Sequence, residues 1–124
     1  MSTKQKILVI DDEVDFTFFV KKNLEQTGQF EVSVQHDGKQ GLEQARTLQP
    51  HLILLDVMMP GMPGEEVINE LKRFPETKQI PVVFLTAIVR PEETAAKANV
   101  IGGQHFVAKP VKMDELLKVI RSLI

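Results

Sequence analysis

Apolar residues come along this chain in two alternating rhythms. Lys6–Ile10 ("KILVI") is apolar and β-branched, a strand pattern; after "DDE" it gives way to Val14, Phe18, Phe19 and Leu24 at mixed three- and four-residue spacing, which predicts a helix. Gly28 stops that helix. "FEVSV" alternates apolar and polar residues, as an edge strand with one more exposed face does. "DGKQGLEQARTL" predicts a second helix with Leu42, Ala45 and Leu48 on one face, and Pro50 breaks it. Leu52–Leu55 shows no alternation at all and reads as a strand buried on both faces.

The same alternation continues to the C-terminus. A third helix fits Glu65 to Phe74 with Val67, Ile68 and Leu71 inward, and "IPVVFLTA" is a fourth strand. "PEETAAKANV" predicts a fourth helix ending at Gly102–Gly103, followed by "QHFVA" as a fifth strand. "MDELLKVIRSLI" closes the chain as an amphipathic helix, with Asp114 and Glu115 near its start and Arg121 near its end, the polarity that suits the helix dipole. Strand–helix repeats with short connections predict an α/β fold, a five-stranded parallel sheet doubly wound by helices on both faces. No linker, low-complexity segment or internal repeat interrupts residues 1–124, which read as a single domain.

In such sheets ligands sit beyond the carboxyl ends of the strands. Strand one delivers Asp11 and Asp12 there, strand three Asp56, strand four Thr86, and strand five Lys109 followed by Pro110. Each has an ordinary explanation. Asp11 and Asp12 could cap a helix, Asp56 could serve a turn before "MMPG", and Thr86 is a common strand residue. Lys109 is less ordinary, because a residue before proline is held extended and an X–Pro bond can be cis. Five such coincidences at one sheet edge are a poor explanation. Three carboxylates repel one another unless neutralised. Lys109 offsets one charge, and a hard divalent cation such as Mg²⁺ offsets two. A carboxylate beside that cation, with an ammonium and a hydroxyl near it, is a phosphoryl acceptor. Asp56, alone at the end of an apolar strand, is the candidate.

Composition narrows the alternatives. The net charge of -2 and the absence of a basic block argue against direct nucleic-acid binding. The chain has no Cys, which removes disulfides, thiolate catalysis and cysteine metal sites. His36, His51 and His105 lack ligand spacing, while Met58, Met59 and Met62 read as gap fillers around the loop. No segment could span a bilayer and the N-terminal apolar run is too short for a signal peptide, so the expected location is the cytoplasm.

With "ILVIDDE", "LILLDVMMPGM", "VVFLTA" and "FVAKP" in this order, the chain resembles, over its whole length, the receiver domain of two-component response regulators. The resemblance implies a flavodoxin-like fold with strand order 2-1-3-4-5. It implies that Asp56 accepts a phosphoryl group from a phosphohistidine on a sensor histidine kinase or a histidine phosphotransfer protein. Asp12, Asp56 and the backbone carbonyl of Met58 would ligate Mg²⁺, with Asp11 acting largely through water. Lys109 would pair with Asp56 or its phosphoryl group, and Thr86 and Phe106 would form the switch. The implied output surface is the fourth helix, fifth strand and fifth helix, facing an unidentified output partner or fused output domain; it leaves a dimer through that surface open. Two departures stand out: Pro63 replaces the Asp that often precedes Gly64, and Gly103 replaces a frequent Ala. The expected role is a signalling switch rather than an enzyme. The alternative is a Mg²⁺-dependent aspartyl-nucleophile phosphatase or phosphotransferase, which usually carries an acid two residues after the nucleophile, where this chain has Met58. A flavin binder is disfavoured by the absence of Trp and Tyr.

Overall fold

The computed structural model describes residues 4–87, 100–101 and 104–124. Its elements are β1 (Gln5–Ile10), α1 (Val14–Gln26), β2 (Phe30–Gln35), α2 (Gly38–Leu48), β3 (Leu52–Asp56), α3 (Gly64–Arg73), β4 (Val82–Thr86), β5 (Val100–Ile101), β6 (Gln104–Ala108) and α4 (Met113–Leu123). They form one sheet in the order β2-β1-β3-β4-β6-β5. The long strands pair in parallel throughout, which is the 2-1-3-4-5 order of the expected fold.

Strand periodicity divides the core in two. Ile7, Val9, Leu52, Leu54, Val83 and Leu85 point to one face, where Val20 and Leu24 of α1 and Leu116, Val119 and Ile120 of α4 cover them. Leu8, Ile10, Ile53, Leu55 and Phe84 point to the other, under Ala45 of α2 and Val67, Ile68 and Leu71 of α3. Every residue of β3 and β4 is buried, as the unbroken apolar runs require. Gly28 lies just past α1 with φ 77, the left-handed conformation that ends helices without a Cβ penalty. Among the described residues no helix is long and apolar enough to cross a membrane.

Two expectations change. The predicted fourth helix lies outside the described residues as far as residue 99, and its last residue, Val100, belongs to β5 instead. Val100 and Ile101 pair antiparallel with His105 and Gln104, as two β-branched residues ahead of a Gly-Gly pair readily do. Gly102 and Gly103 themselves lie outside the described residues. The apolar spacing of α1 also misleads: Val14, Phe18 and Phe19 are exposed, and the buried face is Thr17, Val20 and Leu24. At the start of α3, Pro63 occupies the N-cap position and makes no side-chain hydrogen bond to the helix, the altered cap that this departure implies.

Register is what assembles the site. Ile10 stands opposite Leu55, Asp56 opposite Leu85, and Thr86 opposite Ala108. The ladder runs one residue past each strand, with the N–H of Val57 donating to the Leu85 carbonyl and that of Lys109 to the Thr86 carbonyl. Asp11, Asp56, Thr86 and Lys109 are therefore brought level at one edge by hydrogen bonds of the sheet.

Candidate functional site

Asp11 is fully buried directly after β1, and its Oδ1 accepts the backbone N–H of Glu13 at 2.9 Å. Asp56 closes β3 at 5 % exposure, and its Oδ1 accepts the N–H of Met58 at 3.2 Å. One carboxylate oxygen from each of Asp11, Asp12 and Asp56 lies within 4.8 Å of the others. Lys109, joined to Pro110 by a cis peptide bond, has its ammonium 2.8 Å from Oδ2 of Asp11 and 3.8 Å from Oδ2 of Asp56. Thr86 is buried beside them. Phe106 is half-buried, its ring tilted on that of Phe84 with centroids 5.5 Å apart. The residues that the sequence singles out for chemistry thus converge, and Met58 stands exposed at their rim.

They surround a cleft of about 260 Å³ lined by Asp12, Glu13, Asp56, Met58, Ala87 and Lys109. A slightly larger cleft, about 280 Å³, opens at the opposite end of the sheet between α3 and the starts of β4 and β6. No carboxylate lines it, whereas Asp12, Glu13 and Asp56 all line the smaller cleft.

Burial, and after it the crowding of like charges, shows in the acidities. Burial pushes the Asp56 carboxyl up from 3.8 to about 6, the negative charge of Asp11 pushes the same way, and the Lys109 ammonium opposes both. Asp11 is also raised by burial, against the pull of Lys109 and the Glu13 N–H. For Lys109, burial disfavours the ammonium, but its pairing with Asp11 and Glu13 outweighs that and the pKa is raised. The site holds more negative charge than one lysine neutralises.

Oδ2 of Asp11 is the informative atom. It is buried, and its one close partner is the Lys109 ammonium at 2.8 Å, which is shared with Glu13. A buried carboxylate oxygen left in that condition is costly unless another donor or a cation completes it. Three converging carboxylate oxygens with a single ammonium beside them fit a small, hard divalent cation.

Two residues of the site are missed by the sequence-level reading. Glu13 accepts a hydrogen bond from the Lys109 ammonium at 2.6 Å, and the Phe16 ring lies 4.5 Å beneath that ammonium. The only sequence signal for Glu13 is its place as third acid of "DDE", and for Phe16 there is none.

The family model for the response regulator receiver domain matches residues 7–121. The chain belongs to this family. Curated relatives of this receiver domain include the DNA-binding dual master transcriptional regulator RpaA of Synechocystis, 35 % identical over 119 residues, 96 % of this chain and 48 % of that protein. Another, a probable cyclic di-GMP phosphodiesterase of Vibrio cholerae, is 37 % identical over 110 residues, 89 % of this chain and 24 % of that protein. The solved chemotaxis protein CheY4 of Vibrio cholerae matches with a TM-score of 0.83 at 28 % identity, covering 98 % of this chain and all of that one. The chain therefore spans half or less of the length of these two curated relatives.

Proposed function

We propose that this receiver domain is switched by transfer of a phosphoryl group to Asp56 from a phosphohistidine on a sensor kinase or phosphotransfer protein. The observation that carries it is a buried carboxylate, Asp56, at the end of the central strand, facing two further carboxylates and an ammonium across one cleft. A carboxylate oxygen of Asp56 forms the new bond to phosphorus. The P–N bond of the donor breaks, and its electron pair returns to the imidazole ring. Residues 1–124 act as one receiver unit, on the cytoplasmic side, as a switch rather than an enzyme. Met58 in place of a second acid speaks against the phosphatase reading.

Mg²⁺ is the cation that the donor set suits. Asp12, Asp56 and the Met58 carbonyl would hold it directly, with Asp11 through water; when bound, it neutralises the carboxylates and the incoming phosphoryl oxygens. Lys109 is placed to pair with the phosphoryl group, Thr86 to donate to one of its oxygens, and Phe106 to turn toward the space beside Thr86. The output surface would comprise α4, β6 and the fourth helix of the family, which lies outside the described residues; dimerisation would use the same surface. Any contact with DNA belongs to an output part, in keeping with relatives named as transcriptional regulators.

Acetyl phosphate with Mg²⁺ should add one phosphoryl mass to the intact protein, and chelation should abolish it. Labelling that persists undiminished in excess chelator would sink the metal part of this reading. Asp12→Ala should weaken Mg²⁺ binding at least about tenfold, since it removes a direct charged ligand; calorimetric titration measures this, and wild-type affinity would rule Asp12 out.

The lifetime of the phosphoryl group should depend on Met58. An in-line water must reach the aspartyl phosphate for hydrolysis, and the exposed apolar Met58 side chain stands at that approach. Ile88, two residues past Thr86 as Met58 is two past Asp56, lies outside the described residues. Met58→Asn keeps the backbone N–H that Asp56 uses and should speed phosphoryl loss about three- to tenfold, read by the decay of the phosphorylated mass. An unchanged decay would show that water access past this side chain does not set the lifetime.

A further inference from the structure

We infer that Glu13 is a positioning residue that holds the Lys109 ammonium away from Asp56 until a phosphoryl group forms there. This rests on the phosphoacceptor reading of the same site. An ammonium carries three donors, so its nearest partners decide where it rests. Those partners are Glu13 at 2.6 Å and Asp11 at 2.8 Å, while Asp56 at 3.8 Å is beyond hydrogen-bonding distance. Glu13 also receives a directed hydrogen bond, which neither oxygen of Asp56 does from this lysine. The Phe16 ring, 4.5 Å under the ammonium, favours the same position through its negative face.

The burial of the partners makes the arrangement reversible. Asp11 is fully buried and tied by the Glu13 N–H, whereas the Glu13 side chain is 60 % exposed and remains hydrated when it lets go. A hydrated carboxylate holds a lysine only weakly. A doubly charged phosphoryl group on Asp56 then outcompetes it. Before transfer, keeping the lysine on Glu13 leaves the Asp56 charge facing the cleft, open to a divalent cation that an ammonium at Asp56 would repel.

The proposal predicts how Mg²⁺ affinity depends on the pair. Glu13→Gln should let Lys109 settle on Asp56 and weaken Mg²⁺ binding about fivefold, the scale of one exposed pair. With Lys109→Met as background, the same change should cost less than about twofold, because no ammonium remains to relocate. Because the chain has neither Trp nor Tyr, calorimetry rather than intrinsic fluorescence is the measurement. Equal losses in both backgrounds would mean that Glu13 acts only as a remote charge, and no loss in the first would mean that it does nothing; either overturns the proposal. A metal-free crystal structure of Glu13→Gln tests it without Mg²⁺. The Lys109 ammonium should move within hydrogen-bonding distance of Asp56, and one that stays beside Asp11 overturns the inference. A wild-type protein that binds no Mg²⁺ would count against the metal reading instead, leaving the crystallographic result to decide the role of Glu13.

Discussion

Asp56→Asn should remove phosphoryl labelling completely and, in the same variant, make the metal-free fold harder to unfold at neutral pH. The first effect follows from the chemistry, since an amide oxygen is not the nucleophile a carboxylate is. The second follows from the acidity. In the unfolded chain this carboxyl has its ordinary pKa of 3.8, and in the fold burial and the charge of Asp11 raise it to about 6. The folded state therefore binds the proton more tightly than the unfolded state does. Below about pH 4 both states are protonated and the aspartate costs nothing. As pH rises through 6, the fold must carry a poorly solvated charge, and stability is lost. At about 1.4 kcal/mol per pH unit of displacement, the cost at pH 7.5 is roughly 3 kcal/mol, and the side chain is too buried for solvent to screen much of it. Asparagine keeps the size and the acceptor for the Met58 N–H but carries no charge. In chelator its Tm should exceed wild type by on the order of 10 °C at pH 7.5 and converge with it near pH 4. Circular dichroism melts across that range are the measurement. Coincident melts at every pH would show that Asp56 is not held in a strained electrostatic position. Added Mg²⁺ should narrow the gap from the wild-type side, because a ligand bound only by the folded state stabilises it.

Gly64→Ala should damage both stability and labelling, although alanine is the better helix former. A Cβ at Gly64, the first residue of α3, would stand 2.5 Å from the carbonyl oxygen of Asp56 and 2.9 Å from Cα of Val57. Those are backbone atoms at the end of β3 and the residue after it, and they cannot rotate aside as a side chain could. The Gly64 N–H also donates to the Val57 carbonyl at 3.0 Å, so the helix start and the strand end are bonded to one another. Helix propensity favours alanine by at most about 1 kcal/mol, whereas forcing apart a packed contact of this kind costs about 1–3 kcal/mol. The contact wins, and the displacement falls on Asp56 itself. Urea unfolding should show the loss, and the rate of labelling by acetyl phosphate should fall at least about tenfold, since misplacing the nucleophile by a fraction of an ångström is felt in the rate. A variant as stable and as reactive as wild type would mean that the loop from Val57 to Pro63 absorbs the methyl group.

Much of this was legible along the chain because parallel strands buried on both faces announce themselves. Leu52–Leu55 and Val82–Leu85 have no polar residue to place, so their ends are unambiguous, and whatever follows them lies at the carboxyl edge of the sheet. Asp11, Asp12, Asp56, Thr86 and Lys109 could be gathered by that reasoning, and the charge they share by counting. The resemblance of their motifs to receiver domains agreed with it, as did the strand order.

What apolar spacing could not settle is which face of α1 turns inward. Thr17 is buried because its hydroxyl is satisfied locally, donating to the Val14 carbonyl and lying 3.1 Å from Nε2 of His36, while Phe18 is left in solvent. Counting hydrophobicity weighs a threonine as polar, yet a hydroxyl bonded to its own helix can be buried at little cost. β5 escaped for a related reason: two residues have no period, and only their pairing with β6 makes them a strand. Glu13 and Lys109 are separated by 96 positions, and nothing local to either says that they meet. Sequence rhythm reports which side of an element is buried on average. Only the folded register decides which polar groups on neighbouring strand ends come within 3 Å, because that distance is fixed by the sheet's hydrogen bonds and not by anything periodic in the chain.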